Sequence, residues 1–261
     1  MLSAKLIGPL ALLITIYQLT ASVSGQSASA GSEDVIGQAR RSYYSLPRHG
    51  FNGFEATIES NWKVTLGPTA TPENLKIFRA LHFTVTVDAT GAATVTQVAA
   101  GQKTKIEPYV KQIHDHMQQL VARFFRTWAL FMISSPFPDS QIKIERFDNR
   151  YRLLYAVQSA EVRLTMTQDL LIEELRITDP MSRRTVNPVF RNTSDGLVLT
   201  GYHTVFEPVG PGSKSTLQTM IDYRDVSGLK LPNKIHITGM NGVEPIEAEL
   251  KFNQYVPNSP H

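Results

Sequence analysis

Apolar and polar side chains alternate along most of this chain, and alternation with period two is typical of half-buried β-strands. The pattern first appears at Phe54–Trp62 and returns at Leu81–Val87 and Thr94–Val98. Beyond Pro138 it continues towards the end of the chain as short stretches separated by turn-forming pairs such as Asp148-Asn149, Ser227-Gly228 and Asn241-Gly242. Short strands at roughly ten-residue spacing predict an antiparallel meander, a sandwich or an open barrel, with about ten to eleven strands in all.

Two segments change to helical spacing, in which apolar residues recur every three or four positions. Residues 33–45 predict a short amphipathic helix with Ser32 as its N-cap. Lys105–Ile133 predicts one long helix whose apolar face contains Ile106, Val110, Ile113, Met117, Leu120, Phe124, Trp128 and Phe131. The second half of this helix is expected to face the sheet, because its polar positions are few: Arg123, Arg126 and Thr127.

These elements predict a mainly β (α+β) fold, a curved antiparallel sheet or open half-barrel packed on one long helix, with a short helix at the N-terminus. The long helix would cap the hollow of the sheet. An incomplete cap would leave an apolar pocket for a small ligand, whereas a complete cap would make a filled core. Both possibilities stay open. The residues expected to line the pocket are Trp62, Phe124, Trp128, Phe131 and Met132.

The first thirty residues have the layout of a secretory signal peptide, with a positive start at Lys5, the apolar run Leu6–Leu19 and small residues after it. The apolar run is too short to span a bilayer stably. Cleavage is expected after Gly25 or after Ala30. We therefore expect residues 1–30 to be a signal peptide and residues 31–261 to be a single domain. An uncleaved signal anchor is the alternative.

The chain of 261 residues contains no cysteine. This excludes disulfides, thiolate nucleophiles and lipidation of a cysteine at the cleavage site, and it favours a free protein that is periplasmic or secreted. The net charge of +3 falls to +2 without Lys5, and such a balance argues against nucleic-acid binding. The basic pairs Arg40-Arg41 and Arg183-Arg184 are interpreted as solvated surface.

Motifs for a nucleophile elbow, a phosphate loop, a dinucleotide site or a zinc protease do not occur in the sequence. His114-Asp115-His116 is the only clustered metal-like group, but residues two apart on a helix point in different directions and cannot easily share an ion. Adjacent Glu173 and Glu174 would face opposite sides of a strand. The sequence therefore predicts no catalytic residue, no metal and no cofactor, with an unrecognised hydrolase as a remote alternative.

One late segment carries a resemblance to a known family. Residues 222–235 read DYRDVSGLKLPNKI, a strand that ends near Tyr223, a turn with Gly228, then Leu231-Pro232 and a new strand. Together with the signal peptide, the first helix, an edge strand opening at Gly53 and the mid-chain helix, this order resembles the periplasmic LolA-like lipoprotein-carrier superfamily. The resemblance implies an unclosed β-barrel that holds a lipid or acyl chain under helical lids. Those carriers usually have more than one lid helix, and the arginine they use inside the cavity matches no position here.

The leading hypothesis is therefore an exported, non-enzymatic carrier or sensor that binds a lipid or acyl chain in an apolar cavity of the curved sheet. Its expected partner is a lipid or an acylated protein, with an envelope protein as a further partner. No nucleic acid and no integral membrane segment in the mature chain are expected. The alternative is an envelope protein-interaction module whose core is completely filled by the helix.

Overall fold

The computed structural model describes residues 30–98, 108–137 and 142–258. Its helices are α1 (Ala30–Ser42), α2 (Trp62–Leu66), α3 (Pro72–Arg79) and α4 (Pro108–Met132). Its strands are β1 (Phe54–Ser60), β2 (His82–Val87), β3 (Ala93–Val98), β4 (Lys143–Phe147), β5 (Arg150–Val157), β6 (Ala160–Thr167), β7 (Ile172–Thr178), β8 (Ser182–Thr193), β9 (Gly196–Pro208), β10 (Ser215–Val226), β11 (Leu229–Asn241) and β12 (Glu244–Pro257). The predicted signal peptide lies outside the described residues, apart from Ala30, at which α1 begins.

All twelve strands belong to one antiparallel sheet, in the order β3-β2-β1-β12-β11-β10-β9-β8-β7-β6-β5-β4. The predicted open, curved antiparallel sheet packed on a helix is confirmed, with twelve strands rather than ten to eleven. The expected edge position of the strand that opens at Phe54 is wrong. Because the last strand, β12, returns to pair with β1, that strand lies inside the sheet, and β3 and β4 form the two edges.

Turns of two to four residues join consecutive strands from β4 to β12, except for the six-residue connection between β9 and β10. Between β4 and β5, Asp148 and Asn149 adopt φ angles of 42° and 57°. Between β10 and β11, Ser227 and Gly228 adopt φ angles of 55° and 83°, and the Gly228 N–H donates to Asp225 Oδ1 over 2.8 Å. Left-handed residues at both central positions are what two-residue hairpin turns require. The turns predicted at these two places are confirmed.

The short N-terminal helix is confirmed, but its bounds are shifted. It runs from Ala30 to Ser42, so Ser32 lies inside the helix instead of capping it. Ala39 is completely buried on its inner side. Tyr43 follows the helix and forms a parallel bridge with Leu197 of β9. The segment after α1 is therefore fixed directly to the sheet.

Two further helices, α2 and α3, were not predicted. The alternating pattern assigned Trp62 to the first strand, but that strand ends at Ser60 and Trp62 begins α2. The backbone turns at Asn61, and a buried aromatic residue at a helix start satisfies the same alternation. Helix α3 carries a start signal in the sequence: the Thr71 hydroxyl accepts from the Asn74 N–H over 3.2 Å, and proline follows at the first helical position.

The long helix is confirmed and is described from Pro108 to Met132, while its predicted start at Lys105 lies outside the described residues. Its first half runs beside β3, where the Gln118 Oε1 accepts the Val95 N–H over 2.5 Å and His114 Nε2 lies 3.0 Å from the Val95 oxygen. Its apolar side packs on the face of the sheet that carries the core, called the inner face from here on. Within the described ranges, no helix combines the length and the apolar character needed to cross a bilayer.

The turn between β2 and β3 is held by the carboxylate of Asp88. Its Oδ1 accepts hydrogen bonds from the Thr90 N–H over 2.8 Å, the Thr90 hydroxyl over 2.6 Å and the Ala92 N–H over 3.0 Å. Desolvation by itself would raise the pKa of Asp88, but these hydrogen bonds outweigh it and lower the pKa below the usual 3.8. The ionised form of Asp88 therefore stabilises the fold.

We expect Asp88→Asn to lower the free energy of unfolding by about 0.5–1 kcal/mol at about pH 7, a range reduced for solvent screening. A carboxylate whose pKa is lowered by folding contributes stability above the unfolded-state pKa, near 3.8. That contribution is lost as the pH falls through the folded-state pKa. In urea unfolding, the free energies of the wild type and Asp88→Asn should thus differ at about pH 7 and be equal at about pH 2. An equal difference at both values would contradict the assignment.

Candidate functional site

Four of the five predicted site residues lie together on the buried side of α4. Phe124, Trp128, Phe131 and Met132 are at most 3% exposed. Trp62 is also buried, but it lies apart from them, at the start of α2. The centroid of its ring lies 5.0 Å from that of Phe78 and 6.4 Å from that of Phe83. All five residues belong to one hydrophobic core, in which four come from α4 and Trp62 comes from α2.

Aromatic rings fill the space around Trp128. Its ring centroid lies 5.5 Å from that of Phe125 and 6.5 Å from that of Phe51, both in edge-on contact. The indole N–H donates to the Tyr223 hydroxyl over 3.0 Å. Burial raises the pKa of Tyr223 far above its usual value. The hollow beneath the second half of α4 is thus packed with protein, and a ligand could reach these residues only by displacing the helix.

One small cavity lies beside this cluster. It has a volume of about 70 Å³ and lies between Tyr43, Tyr44 and Phe131, with the guanidinium-bearing side chains of Arg40 and Arg48 at its margin. An engineered cavity of about 150 Å³ is needed to hold even a benzene molecule. The cavity beside Phe131 therefore cannot accommodate an acyl chain.

The inner face is less completely covered towards the turns that follow β7, β9 and β11. Ile177 of β7 lies opposite Arg184 of β8, and Arg184 lies opposite Phe206 of β9. Directly opposed residues point to the same face of a sheet. Leu175 and Val186, two residues away from Ile177 and Arg184 on their strands, are only 1% exposed in the core, which identifies this face as the inner one.

The same face continues across β10, β11 and β12. Phe206 lies opposite Ser215, two residues before Leu217, and Leu217 and Ile246 both lie opposite Gly239. The apolar side chains of this region remain half-buried. We call them the rim strip, which consists of Ile177, Phe206, Leu217 and Ile246. Ile177 and Leu217 pack against the core, and Phe206 and Ile246 extend this apolar surface towards the turns, where the protein covers it only in part.

Three arginines lie at the rim strip. Arg184 projects from β8 between Ile177 and Phe206 and is half-buried, whereas Arg123 and Arg126 lie on the exposed side of α4. Desolvation lowers the pKa of Arg123, and the charge of Arg126 lowers it further. Desolvation likewise lowers the pKa of Arg184, followed by the charges of Arg126 and Arg123. The three guanidinium groups are therefore close enough to repel one another.

Asp179 is an acidic group that acts on Arg184, and its oxygens already accept hydrogen bonds. They accept the N–H groups of Met181 and Ser182 over 2.8 and 2.7 Å, and the Ser182 hydroxyl over 2.8 Å. Desolvation would raise the pKa of Asp179, but these hydrogen bonds and the charge of Arg184 lower it. Glu244, two residues before Ile246 on β12, adds a second carboxylate at the far end of the rim strip. Three guanidinium groups against two carboxylates leave an excess of positive charge.

In the described part of the chain, one His–carboxylate pair, His236 Nε2 and Glu247 Oε1 at 3.1 Å, lies on the face of the sheet opposite the rim strip. No cluster of three or more His, Asp or Glu side chains with metal-ligand geometry occurs within the described residues. His114 is tied to the β3 backbone, and Asp115 forms an ion pair with Lys111 over 2.6 Å. The rim strip thus combines apolar side chains with cations that form no ion pair in the described part of the chain.

Comparison with known proteins gives no match: no family model, no curated protein and no solved structure corresponds to this chain.

Sequence reasoning placed the Arg183-Arg184 pair on the solvated surface, which is correct only for Arg183. Arg183 is exposed, and its guanidinium lies 3.9 Å from Glu207. Arg184 alternates with the buried residues Ser182 and Val186 and so points inwards. The sequence could have predicted this inward direction, because neighbouring residues of a strand point to opposite faces of the sheet.

Proposed function

We propose that this protein is an exported, non-enzymatic binding protein that carries or senses a lipid or other acyl-chain compound on the inner face of its curved sheet. The observation that carries the proposal is the rim strip, an apolar surface continuous with the core and only half covered. Removing such a surface from water is favourable, and an alkyl chain is a suitable cover for it. The polar groups needed for catalysis are not gathered beside it.

The proposed place of the ligand differs from the place expected from the sequence. The aromatic residues under α4 form a filled core, so the chain of a ligand is assigned to the rim strip, beside the helix rather than beneath it. A buried CH₂ group contributes about 0.8 kcal/mol. Micromolar affinity corresponds to about 8 kcal/mol, so a chain of about twelve carbons is a suitable probe.

A fluorescent dodecanoic-acid probe tests the proposal on delipidated protein. We expect saturable binding at about micromolar Kd, and a rise in Tm with probe concentration, because a ligand that prefers the native state stabilises it. Phe206→Gln should weaken binding by about tenfold, since it removes the largest apolar side chain of the rim strip. Val243→Gln is the matched control, because Val243 is 90% exposed and lies in the turn between β11 and β12.

The filled core under α4 also supports the alternative, an envelope protein-interaction module. Binding of the dodecanoic-acid probe distinguishes the carrier from the interaction module. A folded, delipidated protein that shows no saturable binding of the probe would refute the carrier and favour the module. Equal binding by the wild type and Phe206→Gln would place the ligand somewhere other than on the rim strip.

A further inference from the structure

We infer that Arg123, Arg126 and Arg184 together form a binding site for an anionic head group, a carboxylate or a phosphate, of a ligand whose chain follows the rim strip. This inference rests on the proposed function, because the apolar rim strip supplies the site for the chain. It adds the chemical class of the ligand: an anionic amphiphile rather than a neutral one.

The geometry brings the three cations together from two elements. Arg123 and Arg126 are three residues apart on α4 and therefore lie on the same side of that helix. Arg184 comes from the sheet, on the inner face, with Ile177 and Phe206 as its direct cross-strand neighbours. Helix α4 packs on β8, the strand that carries Arg184, because the ring centroids of Phe131 and Phe190 lie 5.8 Å apart. The charge of Arg126 acts on both of the other arginines, in agreement with this packing.

Several arginines elsewhere on the sheet have acidic partners. Arg150 is 2.5 Å from Glu173, and Arg176 is 3.2 Å from Glu174. By contrast, none of the three clustered arginines makes a hydrogen bond or an ion pair within the described ranges. Asp179 acts on Arg184 but forms no ion pair with it within the described ranges, so the three cations face one another with little neutralising charge.

Such a cluster is unfavourable without an anion. Arginine stays protonated at neutral pH, so all three groups are charged, and partial desolvation strengthens their repulsion. The planar guanidinium presents a fork of N–H donors that matches the two oxygens of a carboxylate or the oxygens of a phosphate. An anion at this place would relieve the repulsion and accept hydrogen bonds that the protein leaves unused. The position of Arg184 between two apolar side chains directs the rest of the ligand along the rim strip.

Titration calorimetry with dodecanoate, dodecanol and inorganic phosphate tests the inference on the wild type, Arg184→Gln and Arg163→Gln. Arg163 is the matched control, because it is an exposed arginine one position from the inward-facing Val162 and so lies on the opposite face. We expect the wild type to bind dodecanoate at least tenfold more tightly than dodecanol, as charge-assisted hydrogen bonds imply. Arg184→Gln should lose most of this preference and still bind dodecanol, while Arg163→Gln should behave like the wild type.

A second readout separates a binding role from a structural one. Without ligand, Arg184→Gln should keep or raise Tm, because it removes a like-charge repulsion. Added phosphate should raise the Tm of the wild type more than that of the variant, and the effect should weaken at high salt. A large fall in Tm of the unliganded variant would assign a structural role to Arg184 and overturn the inference.

The remaining outcomes distinguish the anionic head-group site from the carrier function. Equal affinity of the wild type for dodecanoate and dodecanol would overturn the anionic head-group site and leave the carrier function standing. Binding of phosphate that depends on Arg184, with no binding of either amphiphile, would support the anion site and refute the carrier. Binding of none of the three probes by a folded protein would refute both.

Discussion

Trp128→Ala is expected to lower the free energy of unfolding by about 3–5 kcal/mol, since it removes a large buried side chain from a closely packed region. Trp128 is 0% exposed, and its ring is in contact with Phe51 and Phe125. The substitution also removes the indole N–H that donates to Tyr223. Urea unfolding followed by circular dichroism would measure the loss, provided that the transition remains two-state.

The control for Trp128→Ala is Val243→Ala, which should change stability by no more than about 0.5 kcal/mol, because Val243 is almost fully exposed. A loss below about 1 kcal/mol for Trp128→Ala would mean that the surroundings of the ring are open or easily rearranged. In that case the hollow beneath α4 would again be a candidate for ligand binding. A large loss without a matching loss of probe affinity would fit a ligand site on the rim strip.

Local sequence patterns predicted the elements that make the filled core. The spacing of Phe124, Trp128 and Phe131 placed one side of a helix against the sheet, and all three are buried there. The residue pairs Asp148-Asn149 and Ser227-Gly228 predicted hairpin turns, and in the structure both pairs adopt left-handed φ angles. These features depend on neighbours a few residues away, so the sequence contains the information needed to predict them.

Whether the hollow is filled depends on contacts between distant parts of the chain. Phe51, Tyr223 and Phe252 complete the cluster around Phe125 and Trp128, but they come from a loop and two other strands. Their convergence follows from the pairing of β12 with β1, which no local pattern shows.

The three-arginine cluster also depends on contacts between distant parts of the chain and could not be predicted from local patterns. Arg123 and Arg126 belong to α4, whereas Arg184 belongs to β8, and only the tertiary fold brings their charges within range of one another. The sequence identified polar interruptions in an apolar helix and a basic pair in a strand. It did not show that these groups face the same partly covered surface.

Gly91→Ala is expected to lower the free energy of unfolding by about 2–4 kcal/mol, because two effects combine. Gly91 has φ = 85°, a left-handed conformation that costs an L-residue about 1–2 kcal/mol. A Cβ atom at this position would also collide with the Cβ of Ala129 and lie 3.0 Å from Ile133 Cδ1. The turn between β2 and β3 therefore packs directly on the second half of α4.

Gly228→Ala separates the two effects. Gly228 has nearly the same φ, 83°, but a Cβ there would meet no atom within 4 Å. It should thus show only the conformational cost, about 1–2 kcal/mol, and the additional loss in Gly91→Ala should equal the cost of the collision. Equal losses for the two variants in urea unfolding would contradict the close packing of the turn on the helix.

Ala129→Gly tests the contact from the helix side. In the Gly91→Ala background it removes the Cβ that the new methyl group meets, so the double variant should lose less stability than the sum of the two single variants. The single Ala129→Gly variant should itself cost about 1 kcal/mol, the usual penalty for glycine inside a helix. Positive coupling would show that this contact fixes the distance between α4 and the β2–β3 hairpin. The same contact would then also fix how far Arg123 and Arg126 of α4 stand from the rim strip.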